Sequence, residues 1–210
     1  MDSAFLITAF VTMVVVIDPI GMTPLFVALT QGMTAGRRRE IAVRPCVAAA
    51  LILLVFAAFG EAVLGFVGIS MPAFRIAGGM LLFLTALDML FERRTKRREG
   101  TAGQAEAEDE GDDPSIFPLA IPLIAGPGSI ASIILLAGQR PGIEGLAWVV
   151  GVTLGVIVLV FLMFLTAGLL ERALGRTGIL VITRLLGMLL AALAVQFVLD
   201  GLKGVGLLAG

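Results

Sequence analysis

The chain has no histidine, no tyrosine, one cysteine and one tryptophan. Without imidazole, histidine general-base chemistry and most transition-metal sites are excluded. A lone Cys46 can neither close an internal disulfide nor build a cysteine metal cluster. Aromatic anchoring at a membrane interface usually draws on Trp and Tyr, so here it must lean on 13 phenylalanines. Charge is scarce too. Asp, Glu, Lys and Arg make up 15% of the chain, against about a quarter in soluble domains. A net charge of −1 leaves no overall basic excess, so no nucleic-acid partner is expected. No phosphate-binding loop is present, because "AGPGS" lacks the required lysine and spacing. Any driving force must therefore come from a gradient or a partner.

What is abundant is apolar surface. Hydrophobic residues are 59% and the mean hydropathy is +1.06. The charges cluster, leaving uncharged runs at 3–17, 45–60, 62–74, 114–139, 145–170 and 185–199. A helix needs about 20 mostly apolar residues to cross a bilayer core. The pattern predicts an all-α polytopic membrane protein with six spans, near 3–29, 41–66, 70–91, 115–138, 144–170 and 178–203. The start, "MDSAFLITAF", has no basic n-region and reads as the first span rather than a cleaved signal. Its partner as a surface is the lipid bilayer.

Lysine and arginine set the orientation of such a chain. The loops after spans one, three and five carry twelve of the fifteen basic residues, against Arg75, Arg140 and Lys203 on the other side. Both termini are therefore expected outside the cytoplasm. Residues 99–113, "EGTAGQAEAEDEGDD", hold seven acids and no large apolar residue, the composition of a disordered linker. The expected organisation is one three-helix repeat over 1–92, a charged cytoplasmic linker over 93–113, and a second repeat over 114–210.

The two halves resemble each other. Span one carries prolines at 19 and 24, and span four at 122 and 127, an offset of 103. "FRIAGGMLLFL" and "TRLLGMLLAAL" align Arg75 with Arg184 and Gly78 with Gly187, an offset of 109. A repeat of three spans must return upside down, as in many secondary transporters.

Prolines 19 and 24 break span one, and the run Gly126, Pro127, Gly128 breaks span four. Proline removes a backbone donor. Within lipid, freed backbone groups are tolerated only when buried in protein or lining a cavity. Paired breaks in inverted halves point to a substrate site. The candidates are Asp18, Pro19, Gly21, Thr23 and Pro24 in the first break, and Gly126, Pro127, Gly128 and Ser129 in the second. Small and proline residues also serve plain helix packing. Asp18 is the only charge between Ser3 and Gly36. A mid-membrane carboxylate is costly, about 2.5–3.5 kcal/mol on insertion scales. Asp18 has two readings: binding an ammonium or coupling cation, or capping the helix that follows the break. Glu61, Arg75, Arg184 and Gln196 are candidates for coupling or gating, with Arg75 and Arg184 also readable as interfacial anchors. Asp88 reads as interfacial, near Arg93. Gly151 and Gly155, four apart, read as a packing face within the protomer.

Four stretches together resemble the MarC family: "DPIGMTPLF" at 18–26, "GISMPAFRIAGG" at 68–79, "PLAIPLIAGPGSIASI" at 118–133 and "TRLLGMLLAALAVQFVLDGL" at 183–202. The resemblance covers nearly the whole chain. It implies six spans in the cytoplasmic (inner) membrane of a prokaryote, and transport of small neutral amino acids for some members. The family pattern often has Asn where this chain has Asp18, which favours capping or neutral hydrogen bonding over proton carriage. The function expected is secondary transport of small neutral amino acids, of the alanine, glycine and serine class. No cofactor is expected beyond a coupling ion, H+ or Na+. Export of drugs or other metabolites, favoured by a wide Met- and Phe-lined cavity, and a non-transporting membrane scaffold are the alternatives. No nucleophile–base pair points to an enzyme.

Overall fold

The computed structural model describes residues 3–94 and 123–207. The charged linker expected at 93–113 falls outside them beyond Arg94, as does Pro122. Every regular element among the described residues is helical: α1 (Ser3–Ile17), α2 (Thr23–Leu29), α3 (Ala35–Val67), α4 (Met71–Leu90), α5 (Pro127–Gln139), α6 (Ile143–Leu165) and α7 (Ala167–Gly204). Among the described residues, α3, α4, α6 and α7 are long and apolar enough to cross a membrane, and α1 and α5 are shorter apolar helices. The chain is a multi-pass membrane protein. Leu51, Val55, Phe59, Val63 and Phe66 leave more than half of their surface uncovered along α3, as a lipid-facing helix requires.

Local chemistry sets the helix ends. Thr34 precedes α3 and its hydroxyl accepts from the Arg37 amide at 3.4 Å. Gly68 closes α3 in the left-handed conformation, φ 84°, and lets the Ile69 amide reach back to the Leu64 carbonyl at 2.8 Å. Ser70 caps α4 through the Ala73 amide at 3.3 Å, with Pro72 in the first turn. The expected loop between spans five and six is different in the structure. The α6 helix stops at Leu165, and α7 begins at Ala167, its axis turned at Gly175 (φ 61°, ψ 173°). The sequence there, "ERALGRTG", is charged but rich in helix formers, so it stays helical and bends only at the glycine.

The most extensive helix contacts join the first half of the chain to the second, and α4 against α7 is the largest. These two run antiparallel at close range. A methyl group at Gly79 would lie 2.8 Å from the Ala194 carbonyl oxygen and 2.7 Å from Val198. One at Gly187 would lie 3.0 Å from the Met89 Cβ and 3.3 Å from the Ala86 carbonyl oxygen. Small residues are what let membrane helices approach so closely. Gly78, aligned with Gly187 on sequence grounds, instead faces Leu135 and Ala131 of α5. The glycine that meets α7 is Gly79, because one residue turns a helix by about 100° and so exchanges neighbours.

Candidate functional site

The chain breaks twice near the interior. At the first break, α1 ends at Ile17 and Asp18 takes a left-handed backbone, φ 57°. Asp and Asn tolerate that region better than most residues. The Asp18 amide still bonds to the Val14 carbonyl at 2.8 Å. Its carboxylate turns forward, and Oδ1 accepts from the Gly21 amide at 3.0 Å. Asp18 is fully buried, and Gly21 sits so close that a methyl there would lie 2.1 Å from Asp18 Oδ2. The buried Thr23 hydroxyl donates to the Ile20 carbonyl at 2.7 Å, and Pro24 occupies the first turn of α2. These contacts fold Asp18 into its own break.

At the second break, Gly126 takes an extended backbone and Pro127 opens α5. Ile130 is the first amide to bond back, to the Gly126 carbonyl at 3.0 Å. The amides of Gly128 and Ser129 therefore precede the helical ladder, where amides point out along the axis. The buried Ser129 hydroxyl closes the bend by donating to the Ile124 carbonyl at 2.7 Å.

A cavity of about 500 Å³ lies against this second break. Gly126, Pro127, Gly128 and Ser129 form one wall. The facing wall comes from α4 and its C-terminal end: Leu81, Leu84, Thr85, Leu87, Asp88, Arg93 and Arg94, with Leu123 and Val16 completing it. Val16 brings the first break to the second, since a methyl on Gly128 would lie 3.2 Å from the Val16 side chain and 3.7 Å from the Thr85 hydroxyl. Arg94 ties the two together. Its guanidinium donates to the Val16 carbonyl at 2.7 Å, an acceptor near the negative end of α1.

Of the residues singled out in the sequence, the structure gathers Gly126, Pro127, Gly128 and Ser129 around one cavity. Asp18, Pro19, Gly21, Thr23 and Pro24 are not among its described lining residues. Glu61 is exposed on α3. Arg75 donates to the Gly138 carbonyl at 3.4 Å, at the far end of α5. Arg184 pairs with Glu92. Gln196 donates to Asp200 at 2.8 Å on an exposed face of α7. Sequence reasoning missed Thr85 and Arg94 and placed Asp88 at an interface. The available signal was the threonine three residues before Asp88, on the helical face that runs into Arg93 and Arg94.

Comparison with known proteins matches residues 3–206 to the pattern described as "MarC family integral membrane protein". A UPF0056 membrane protein of Methanocaldococcus jannaschii is 37% identical over 207 residues, covering 97% of this chain and 98% of the relative. One from Aquifex aeolicus is 38% identical over 198 residues, covering 94% and 92%. The UPF0056 inner membrane protein YhgN of Escherichia coli is 35% identical over 205 residues, covering 94% and 96%. No solved structure matches the chain. With the pattern spanning nearly every residue and relatives aligned end to end, the chain belongs to the MarC family of integral membrane proteins.

Proposed function

We propose that this protein is a secondary transporter of small neutral amino acids in the cytoplasmic membrane, coupled to a proton or sodium gradient. One observation carries the proposal: the cavity presents both signs of charge beside a broken helix. The leading amides of α5, at the positive end of its dipole, and the guanidinium groups of Arg93 and Arg94 suit a carboxylate. Asp88 and the Thr85 oxygen suit an ammonium. A zwitterion meets both demands at once. The volume falls within the range of about 300–1,000 Å³ typical of small-molecule sites. The described lining holds Leu and Val but neither Met nor Phe, which weighs against the exporter of bulky apolar compounds.

An inverted repeat supports the same reading. A single offset of 108 carries Pro19 onto Pro127, the start of α3 at Ala35 onto the start of α6 at Ile143, and Gly-Met-Leu-Leu at 79–82 onto 187–190. The packing has the same symmetry: Gly79 faces Ala194 and Val198, while Gly187 faces Ala86 and Leu90. Each pair is the other moved by 108. Six spans in two inverted halves then put the basic loops inside and both termini outside. The cavity, at the end of α4 leading to the basic loop, opens toward the cytoplasm. The E. coli relative's name as an inner membrane protein agrees with that membrane. No role as an enzyme is proposed.

Ligand-induced thermal stabilisation of the purified protein tests the site. L-Alanine is expected to raise the melting temperature, while propionate and ethylamine, which carry one charge each, raise it far less. Equal effects from all three compounds, or none from alanine, would count against a zwitterion site.

A further inference from the structure

The cavity ends where Val16 meets Gly128, and a transport path must continue beyond that point. We infer that the α1–α5 seam is the closed outer half of the path, with Thr12 and Ser132 as its substrate-contacting residues and the Phe5–Arg140 pair as its outer gate. This rests on the transporter reading.

The register of the seam is fixed at both ends. Val16 lies against Gly128, and the Arg140 guanidinium stands 5.0 Å over the Phe5 ring. The helices are antiparallel. One turn back from Val16 is Thr12, and one turn on from Gly128 is Ser132, each on the same face as its contact residue. The two residues are therefore level, one turn beyond the cavity. Both are completely buried, and neither hydroxyl has a hydrogen-bond partner among the described residues. Other buried hydroxyls do find partners: Ser129 on α5 donates to the Ile124 carbonyl at 2.7 Å, and Thr153 on α6 to the Val149 carbonyl at 2.8 Å. The remaining exception, Thr183 on α7, stands alone rather than as a level pair. A buried, unpaired hydroxyl costs free energy and calls for an explanation. Two at one level, in line with a cavity that stops just short of them, are explained if the seam opens and they meet water and substrate. Ala9, also fully buried on α1, keeps this stretch narrow-walled and free of bulk. Past it, Arg140 on Phe5 closes the far end by a cation–π contact that a small opening would break.

The test separates path residues from structural ones. Thr12→Val and Ser132→Ala remove unpaired hydroxyls with little change in shape. Both variants are expected to be at least as heat-stable as the native protein, while the KM for alanine uptake rises about tenfold, the worth of one hydrogen bond to substrate. In a Cys46→Ala background, Thr12→Cys and Ser132→Cys are expected to react with a membrane-impermeant thiol reagent from the outer face only during turnover. Native-like KM in both variants, together with no turnover-dependent labelling, overturns the inference and leaves the transporter reading standing. A native protein that moves no amino acid overturns both.

Discussion

Replacing Asp18 by alanine removes the acceptor for the Gly21 amide, and it does so where Asp18 is completely buried. The amide then lies unpaired, at about 1–3 kcal/mol. Alanine must also adopt φ near 57°, a left-handed conformation costing roughly 1–2 kcal/mol for an ordinary residue. Together these effects cost roughly 2–5 kcal/mol, which lowers the melting temperature by roughly 4–20 °C in a chain of this size. Asparagine keeps an oxygen acceptor in the same place and is at home in left-handed backbone, so Asp18→Asn should stay within about 1 kcal/mol of native. The assay is loss of the monodisperse peak on heating in detergent, read for the native protein, Asp18→Asn and Asp18→Ala. If Asn and Ala destabilise equally, the charge rather than the cap matters and the argument fails. If Ala is as stable as native, the hydrogen bond contributes nothing.

Arg94→Gln removes a charged donor to the Val16 carbonyl and one cation from the cavity wall; by the usual worth of charged hydrogen bonds, the alanine KM should rise roughly 10–100-fold in uptake kinetics. Gly79→Val pushes a side chain against the Ala194 carbonyl and should cost about 1–3 kcal/mol or more of thermal stability, whereas Gly151→Ala, with open space around it, should be silent in the same melt. Glu40, at the start of α3, has its carboxyl held below the ordinary value, first by a hydrogen bond from Arg37 and further by the charge of Arg44. A lowered carboxylate stabilises the fold above its unfolded pKa and loses that contribution as pH falls through the folded one. The melting-temperature gap between native and Glu40→Gln should therefore be widest at neutral pH and close on acidification.

Much of this architecture could be read from the sequence because lipid imposes long apolar runs. Spans two and three were placed within several residues of α3 and α4, and the first break was located at Asp18 and Pro19. The end of span five was not legible. Helix-forming charged residues at 171–176 look like a loop to a hydropathy reading, yet continue as helix in α7. Which of the neighbouring glycines, Gly78 or Gly79, packs against α7 was not legible, since one residue turns a helix by about 100°. The site was half visible. Gly126–Ser129 announced themselves through a glycine–proline–glycine run that breaks the helical ladder. Thr85, Asp88 and Arg94 did not, because they reach the cavity only by meeting that break across the bundle. The Asp18 carboxylate stood out for its charge, and in the folded chain it accepts from the Gly21 amide within its own break.

Uptake of labelled alanine, glycine and serine into proteoliposomes, with proton and sodium gradients imposed separately, tests the central claim most directly. Uptake that depends on one gradient, and is lost in a Pro127→Leu variant that still melts cooperatively, is the predicted result. Folded native protein that accumulates none of the three under either gradient would contradict it.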